Sequence, residues 1–330
     1  MENEKIRLAR EGILRIDPSF PFPSKSYLVL SSGRSGSTLL TTYLKSIGYG
    51  NPIEAFNPNI KKRNRYGWEI NFSDPLAYLR KSIDFQTMNG VMGIKFLPNQ
   101  FILFLEMARK LLEPPGVELE DEEIPFVFFP NARWVHLERK YKLDQAISLS
   151  KALQTGIWYE MEGEDPRYKE YVVPAVYDRD HIESCFDLSL VYDNYWRLFI
   201  KKMDLNAHHL FYEDLTSYFS DEVTRLNRYL EIEPTTIAAP TLRKQANQES
   251  LRWKERFIQE TPWFRDPGFM KAYEVGDMDT LFISRVCFIA RNREQELWSR
   301  MPANRYKKIR SLSFRFKRRI KGVLKSTAWS

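Results

Sequence analysis

The sequence predicts an α/β fold in which helices flank a parallel sheet. Three segments carry this prediction, since each begins with a short run of β-branched, aliphatic or aromatic residues and continues at helical spacing. They are residues 27–43, 91–112 and 132–157. Strands that alternate with helices in this way form parallel sheets. A fourth strand is expected at residues 209–213, with the sequence HLFYE.

The remaining elements follow from amphipathic spacing and from residues that end helices. The first helix, residues 37–48, ends at the sequence GYGNP, because glycine and proline do not continue a helix. An apolar stripe that includes Leu143, Ala146 and Leu153 defines the helix after the third strand. Further helices are predicted at residues 97–112, 185–203, 221–230 and 269–300.

Composition limits the class of protein. Of the 330 residues, 43% are hydrophobic and 14% are aromatic, which excludes a disordered chain. We expect one α/β domain at residues 27–300, after an extension at 1–26 and before a tail at 301–330. No apolar run is long enough to span a membrane, and the N-terminus lacks the apolar core of a secretory signal. Together with two distant cysteines, Cys185 and Cys287, this favours the cytoplasm.

The net charge of +7 comes from the C-terminal tail. Residues 305–330 contain ten Lys or Arg and no acidic residue, and subtracting these ten from +7 leaves −3 for the rest of the chain. Apolar residues recur in the tail at helical intervals. It is therefore either a basic amphipathic helix that contacts the inner surface of the membrane or a solvated extension. We expect no nucleic-acid partner.

Residues 31–38, SSGRSGST, form a small polar turn between the first strand and the first helix. Gly33 and Gly36 allow the backbone to approach a ligand closely, so that backbone N–H groups and the helix dipole can surround an oxyanion. Arg34 adds a forked cation. The turn lacks the lysine of the GxxxxGK[ST] motif, which disfavours a P-loop kinase. The alternative is a serine-rich turn that caps the helix, with Ser37 as the N-cap.

The sequence YLVLSSGRSGSTLL at residues 27–40 resembles the 5′-phosphosulfate loop of sulfotransferases that use 3′-phosphoadenosine 5′-phosphosulfate (PAPS). Its RSGSTLL string and the downstream EAF are similar to the Stf0 type, the group of trehalose and nodulation-factor sulfotransferases. Similar segments follow in the same order as far as residue 257. The resemblance implies a P-loop-like sulfotransferase fold, PAPS as the donor and 3′-phosphoadenosine 5′-phosphate (PAP) as a product. The residues expected to bind the phosphosulfate are Ser32, Gly33, Arg34, Ser35, Gly36, Ser37 and Thr38.

Two segments after the first helix resemble the family's catalytic positions. Glu54, in PIEAF, matches the proposed general base of the family, and a carboxylate near the phosphosulfate can accept the proton of an attacking hydroxyl. Lys95, at the end of VMGIKF, and Arg34 are expected to neutralise charge on the leaving group. Asn99 belongs to the same GxK…NQ pattern. The alternatives are a solvated glutamate and a strand-end lysine that faces water.

The second half of the donor site is expected after the third strand. The family holds the 3′-phosphate with an arginine at a strand end and a serine early in the next helix, and Arg139 and Ser148 match these positions. Nine residues of continuous helix would separate the two by ~13 Å, too far to share one phosphate. The helix therefore has to begin near Leu143. Further along, Lys244 stands where the family has an arginine, and lysine supplies the charge without the bidentate fork.

The resemblance favours a hydroxyl of a carbohydrate or glycolipid as the acceptor, and a hydroxylated small natural product is the alternative. Residues 159–184 form either a lid or an excursion at a homodimer interface. The four histidines have spacings that fit no metal-ligand motif, so we expect no metal. A membrane-binding or polyanion-binding protein driven by the tail is the rival from another class.

Overall fold

The computed structural model describes residues 3–57, 73–112, 118–158, 173–232 and 247–291. Lys244, the tail at 305–330 and most of the predicted excursion at 159–184 lie outside the described residues. The chain divides into two compact units. The first consists of Met1–Arg139 and Trp196–Thr241, and the second of Lys140–Tyr195 and Leu242–Ser330. No helix among the described residues is long and apolar enough to cross a bilayer.

Helices and strands alternate along the described chain as the sequence predicts. The helices are α1 (Glu4–Ile16), α2 (Ser37–Ser46), α3 (Pro75–Gln86), α4 (Pro98–Leu112), α5 (Ile124–Phe128), α6 (Lys142–Thr155), α7 (Arg179–Lys202), α8 (Tyr212–Ser217), α9 (Phe219–Leu230), α10 (Gln248–Glu260), α11 (Pro267–Val275) and α12 (Met278–Arg291). The strands are β1 (Lys25–Ser31), β2 (Thr87–Met88), β3 (Val91–Phe96), β4 (Arg133–Glu138) and β5 (His208–Phe211). The predicted α/β class is confirmed, and α6 begins one residue before Leu143.

The first unit contains the sheet, whose strand order is β2-β3-β1-β4-β5. The four predicted strands are confirmed, and they pair parallel to one another, β3 with β1, β1 with β4 and β4 with β5. The two-residue strand β2 was not predicted and pairs antiparallel to β3 at one edge. Asn89 and Gly90 make the turn between them, with φ of 52° and 76°. An Asn-Gly pair favours such a hairpin turn because both residues tolerate positive φ.

Among its described residues, the first unit has two groups of buried apolar side chains around the sheet. Val29 of β1 packs in one cluster with Tyr43 of α2 and Leu226 of α9. An aromatic cluster forms the other, in which the ring of Phe101 lies 5.3 Å from that of Phe96 and 5.2 Å from that of Trp196. Each fully buried side chain of this size stabilises the fold by roughly 1.5–3 kcal/mol. The two clusters therefore fix α2 and α4, the helices that follow β1 and β3.

The second unit has a core of its own, built by helices. Buried residues of α6, α7, α10, α11 and α12 contribute to it, among them Ile147, Phe186 and Leu281. Trp253 of α10 is 6% exposed and belongs to this core. Lys142, at the start of α6, forms a buried ion pair with Asp193 of α7.

Three of the predicted boundaries that the structure corrects have clear local reasons. Helix α7 begins at Arg179 rather than residue 185, because the Asp178 carboxylate accepts a hydrogen bond from the His181 backbone N–H (3.0 Å) and so caps the helix. The described part of the predicted helix at 269–300 is two helices, since Gly276 ends α11 with a φ of 70°. Strand β5 ends at Phe211 because the next residues, YED, begin α8 with acidic side chains in its first turn.

Candidate active site

The loop after β1 and the ends of β3 and β4 lie at the same edge of the sheet. Because β1 is parallel to both neighbours, the carboxyl ends of the three strands meet there. Lys95 pairs with Val29, and Leu137 pairs with Ser31, where the loop begins. The register therefore brings the loop, Lys95 and Arg139 to the edge at which open α/β sheets bind ligands.

The start of the loop is held from inside the first unit. The Trp196 indole N–H donates a hydrogen bond to the Ser31 carbonyl (2.9 Å). Ser32 and Ser35 are buried, and the Ser35 hydroxyl donates to the Ser32 carbonyl (2.8 Å). These two serine side chains therefore shape the loop, while Gly33 is half-buried at its surface.

The end of the loop is the N-terminus of α2. Arg34 and Gly36 adopt positive φ, of 64° and 87°. Gly36 rather than Ser37 is the N-cap of α2, and no side chain caps this end. The interpretation of the turn as a Ser37 cap is therefore wrong. The first N–H groups of a helix have no partner within the helix and attract anions, and Thr38 lies in the same first turn.

Arg34 and Arg139 lie close together although both are cations. The Arg139 guanidinium donates a hydrogen bond from Nη1 to the backbone carbonyl of Arg34 (3.4 Å). Burial, followed by the positive charge of Arg139, lowers the pKa of Arg34 to about 10. Two like charges this close repel one another, and the negatively charged groups of a bound ligand would relieve the repulsion. The pair is therefore suited to a phosphate or sulfate group.

Two residues at the start of α8 hold Arg139 in this position. Its guanidinium carbon lies 4.7 Å from the centre of the Tyr212 ring, a cation–π contact. Its Nε lies 3.5 Å from Oε1 of Glu213. The Tyr212 ring also covers Gly36, because a Cβ atom at Gly36 would overlap it. Tyr212 thus contacts both the loop and the arginine.

Glu54 and Lys95 form an ion pair at the end of β3. The Lys95 Nζ lies 2.7 Å from Oε1 of Glu54, and the two side chains are 8% and 26% exposed. The Lys95 backbone N–H donates to the Ile53 carbonyl (3.2 Å), and Phe56 is buried against Phe96. The segment that carries Glu54 is thereby fixed to β3. Neither a solvated glutamate nor a lysine that faces water describes this pair.

Two side-chain amides also contact the Glu54 carboxylate. The side-chain N–H groups of Gln100 and Asn57 both donate to Oε2 of Glu54, each over 2.8 Å. Burial raises the pKa of Glu54, but the charge of Lys95 and the hydrogen bonds from Lys95, Gln100 and Asn57 outweigh this effect. The pKa of Glu54 therefore lies below its ordinary value, and the carboxylate is ionised at neutral pH.

Three other residues complete the set that the sequence predicts. Ser148 is half-buried on α6, in the second unit. Asn99 lies in the first turn of α4, where its neighbour Gln100 is the residue that donates to Glu54. Lys244 lies outside the described residues. Direct contacts bring the predicted charged residues of the first unit together in two pairs, Glu54 with Lys95 and Arg34 with Arg139.

One further cluster contains metal-ligand side chains. Among the described residues, His136, Glu138 and His209 are the group of three whose ligand atoms lie within 4.8 Å of one another. The register pairs the two histidines, and their rings stack with centroids 4.9 Å apart. Arg197 holds both oxygens of Glu138, at 2.7 and 2.9 Å. Because a cation already neutralises this buried carboxylate, the cluster is better suited to hydrogen bonding than to a divalent ion.

Comparison with known proteins assigns the chain to a family. A family model described as Stf0 sulphotransferase matches residues 26–260, well over half of the chain. The chain belongs to the Stf0 sulphotransferase family. It is therefore an enzyme that transfers sulfate.

Two curated proteins similar to this Stf0 sulphotransferase are both called trehalose 2-sulfotransferase. The one from Mycobacterium tuberculosis is 27% identical over 266 residues, which cover 72% of this chain and 96% of that protein. The one from Mycolicibacterium smegmatis is 27% identical over 259 residues, which cover 71% and 95%. A crystal structure of a sulfotransferase from Mycobacterium avium has a TM-score of 0.34 and 12% identity, and the match covers 78% of this chain and 74% of that one. At this score the structural similarity adds nothing to the family assignment.

The sequence of this Stf0 sulphotransferase does not predict a site role for four residues that the structure places there, namely Gln100, Asn57, Tyr212 and Glu213. Three of them could have been found from their position, because each closely follows the end of a strand. Gln100 follows the end of β3, and Tyr212 and Glu213 follow the end of β5 directly. Polar residues just beyond the carboxyl ends of parallel strands face the edge where ligands bind.

Proposed function

We propose that this enzyme transfers a sulfuryl group from PAPS to a hydroxyl of a carbohydrate, with trehalose as the first acceptor to test. The observation that carries the proposal is an ion-paired carboxylate, Glu54, at the same sheet edge as the Arg34–Arg139 pair. That the enzyme transfers sulfate follows from its membership of the Stf0 family. Such a reaction needs an anion site for the donor and a base for the acceptor, and residues of the first unit provide both.

The donor is held by anion-binding groups. The 5′-phosphosulfate binds the residues from Ser32 to Thr38 through their N–H and hydroxyl groups, at the positive end of α2. Arg139 binds the 3′-phosphate through its planar fork, which Tyr212 and Glu213 orient. The same role stays a prediction for Ser148 and Lys244.

Transfer is an in-line displacement in which cationic side chains lie near the negative charge that develops. The acceptor hydroxyl gives its proton to Glu54 while its oxygen forms the new bond to sulfur. The bond between sulfur and the bridging oxygen breaks, and its electron pair stays on the 5′-phosphate of PAP. Lys95 and Arg34 stabilise the negative charge that develops on the sulfuryl group and on this leaving phosphate. These cations supply the charge stabilisation without a metal ion.

Trehalose is the first acceptor to test because both similar curated proteins are trehalose 2-sulfotransferases. A glycolipid that carries a sugar hydroxyl is the second, and a hydroxylated small natural product is the third. All three offer the same chemistry, an alcohol that loses its proton as it attacks sulfur. A screen of these classes therefore identifies the acceptor without changing the assigned roles.

The decisive experiment measures donor binding before transfer. PAP at 100 times its dissociation constant should stabilise the protein by roughly 2.7 kcal/mol in a thermal unfolding assay, whereas ATP with Mg²⁺ should not. Incubation with PAPS and trehalose should then give trehalose that has gained one sulfate, detected by mass spectrometry. Stabilisation by ATP with Mg²⁺ and none by PAP would contradict the donor assignment. Full activity in Glu54→Gln would contradict the role of the base.

A further inference from the structure

We infer that Gln100 is a positioning residue that orients the Glu54 carboxylate so that Oε1, and not Oε2, receives the proton of the acceptor hydroxyl. The inference deepens the proposed function and rests on it, since it takes Glu54 as the base. Gln100 itself touches neither substrate nor donor in this assignment and acts through Glu54.

The hydrogen bonds around Glu54 distinguish its two oxygens. A carboxylate oxygen has about two lone-pair sites. Oε2 accepts from the Gln100 and Asn57 amides, each at 2.8 Å, and both of its sites are used. Among the residues that the structure describes, Lys95 is the one donor to Oε1, at 2.7 Å. One site on Oε1 is thus left for a hydroxyl, and 26% of the Glu54 side chain is exposed to admit it.

Gln100 is held rigidly enough to set this orientation. Its side chain is buried, and its Oε1 accepts a hydrogen bond from the Leu97 backbone N–H (3.4 Å) at the N-terminus of α4. That contact makes the amide oxygen the acceptor and directs the amide N–H groups toward Glu54. The next residue, Phe101, is fully buried in the aromatic cluster. The position of the carboxylate is thereby tied to the core of the first unit.

The assignment also locates the reacting atoms. The hydroxyl proton passes to Oε1 of Glu54, the acceptor oxygen bonds to sulfur, and the electron pair of the broken bond leaves with the 5′-phosphate. Because the Lys95 ammonium is 2.7 Å from the same Oε1, it lies next to the attacking oxygen and can contact a sulfuryl oxygen there. Lys95 then serves the acceptor side of the reaction, and Arg34 the phosphate side.

Gln100→Met tests the inference, because it removes the donor and keeps the length of the side chain. With PAPS and trehalose we expect kcat to fall by roughly 10- to 100-fold, the effect of losing one hydrogen bond to a charged group. The KM for PAPS should change little. The acid limb of kcat/KM should move to higher pH, since the carboxylate has lost one of its donors. A role in stability alone would leave this limb where it is.

Gln86→Met is the matched control. Gln86 is also fully buried, and its amide donates to the Ser82 carbonyl (3.0 Å) and hydroxyl (2.8 Å) within α3. Gln86→Met should lower the melting temperature as Gln100→Met does, but it should leave the acid limb of kcat/KM unchanged. If both variants lose stability and neither shifts the limb or kcat, Gln100 is structural and the inference is wrong.

A second readout does not depend on turnover. The ¹³C resonance of the Glu54 carboxyl can be identified by its absence in Glu54→Gln. It should titrate at higher pH in Gln100→Met than in the wild type. An unchanged midpoint overturns the inference, even if trehalose is not the acceptor.

The inference and the proposed function fail in different experiments. Full activity in Glu54→Gln refutes the proposed base and this inference with it, whereas an inactive Glu54→Gln beside a wild-type-like Gln100→Met refutes this inference alone.

Discussion

The ring of Tyr212 packs directly against Gly36 at the N-terminus of α2. A Cβ atom at Gly36 would overlap the ring, and the ring is also engaged with Arg139, whose guanidinium carbon is 4.7 Å from its centre. Gly36 in addition has a φ of 87°, which side chains rarely adopt. Glycine is therefore required here both by the backbone and by its neighbour.

We expect Gly36→Ala to abolish the stabilisation by PAP, because the new methyl group must displace Tyr212 and with it Arg139. Gly90→Ala is the matched control, since Gly90 has a φ of 76° but nothing lies within 4 Å of a Cβ built there. Gly90→Ala should lower the free energy of unfolding by roughly 1 kcal/mol, through backbone strain alone, and PAP should still stabilise this variant. Thermal unfolding with and without PAP measures both effects. Equal losses of the PAP response would show that the contact with Tyr212 is unimportant.

Replacement of the base should separate catalysis from donor binding. We expect Glu54→Gln to lower kcat by about 10²- to 10⁴-fold, the range for loss of a general base, with PAP binding unchanged. The variant also removes the counterion of Lys95, which is 8% exposed, and should cost roughly 1–3 kcal/mol, less than for a fully buried pair. Adding Lys95→Met should restore stability but not activity. Recovery of turnover in the double variant would contradict both roles.

The lowered pKa of Glu54 gives a pH dependence of known sign. Its ordinary value is 4.5, and the folded value lies below it. A carboxyl of this kind stabilises the fold above its unfolded pKa, and the contribution is lost as the pH falls through the folded pKa. The stability gap between the wild type and Glu54→Gln should therefore be constant at neutral pH and narrow below about pH 5. Urea unfolding across this pH range measures the gap. A gap that stays unchanged at the lowest pH would contradict the lowered pKa of Glu54.

The same shift predicts the pH profile of the reaction. The acid limb of kcat/KM reports the pKa of the base in the free enzyme and should lie below 4.5. A limb near 6 or 7 would instead point to a histidine as the base.

The parallel sheet could be predicted because each strand is an apolar run that a helix follows directly. Residues 91–96 illustrate this, since the strand VMGIKF has the predicted bounds. The edge strand β2 could not be found in this way, because two residues are too short to show alternation. Its Asn89-Gly90 turn was the only local signal, and that signal specifies a hairpin without saying where the partner strands end.

The site could be predicted only as separate residues. The sequence predicts Glu54 and Lys95 as separate residues, because their ion pair depends on the bridge between Ile53 and Ile94, which forms only in the folded chain. Gln100 lies 46 residues from Glu54, and no spacing in the sequence specifies that contact. Family resemblance identifies residue types that carry the chemistry. The GxK…NQ pattern contains Gln100 but assigns it no role, because its contact with Glu54 depends on packing.

Removal of metal ions should leave the reaction unchanged. Lys95 and Arg34 provide the positive charge at the proposed site, and the carboxylate of Glu138 is already neutralised by Arg197. Dialysis against EDTA should therefore not alter the rate of sulfate transfer by more than about twofold. Loss of activity that zinc restores in the wild type but not in His209→Ala would contradict this and would assign a metal to the histidine cluster.

The affinity for PAP should depend on the shape of the Arg139 side chain as well as on its charge. Arg139→Lys keeps the charge but loses the planar fork, and we expect PAP affinity to fall by roughly tenfold or more. Tyr212→Leu removes the ring that the guanidinium contacts at 4.7 Å and should weaken PAP binding by about 3- to 30-fold. Tyr212→Phe should lose less, because the face of the ring remains.

Tyr218→Leu is the control for these variants, since Tyr218 is 63% exposed and precedes α9. Isothermal titration with PAP compares all four proteins with the wild type. Equal affinity in Tyr212→Leu and Tyr218→Leu would mean that the aromatic ring does not orient Arg139. In that case Glu213, whose Oε1 is 3.5 Å from Nε, would be the side chain that orients the guanidinium, and Glu213→Gln should then show the loss expected here for Tyr212.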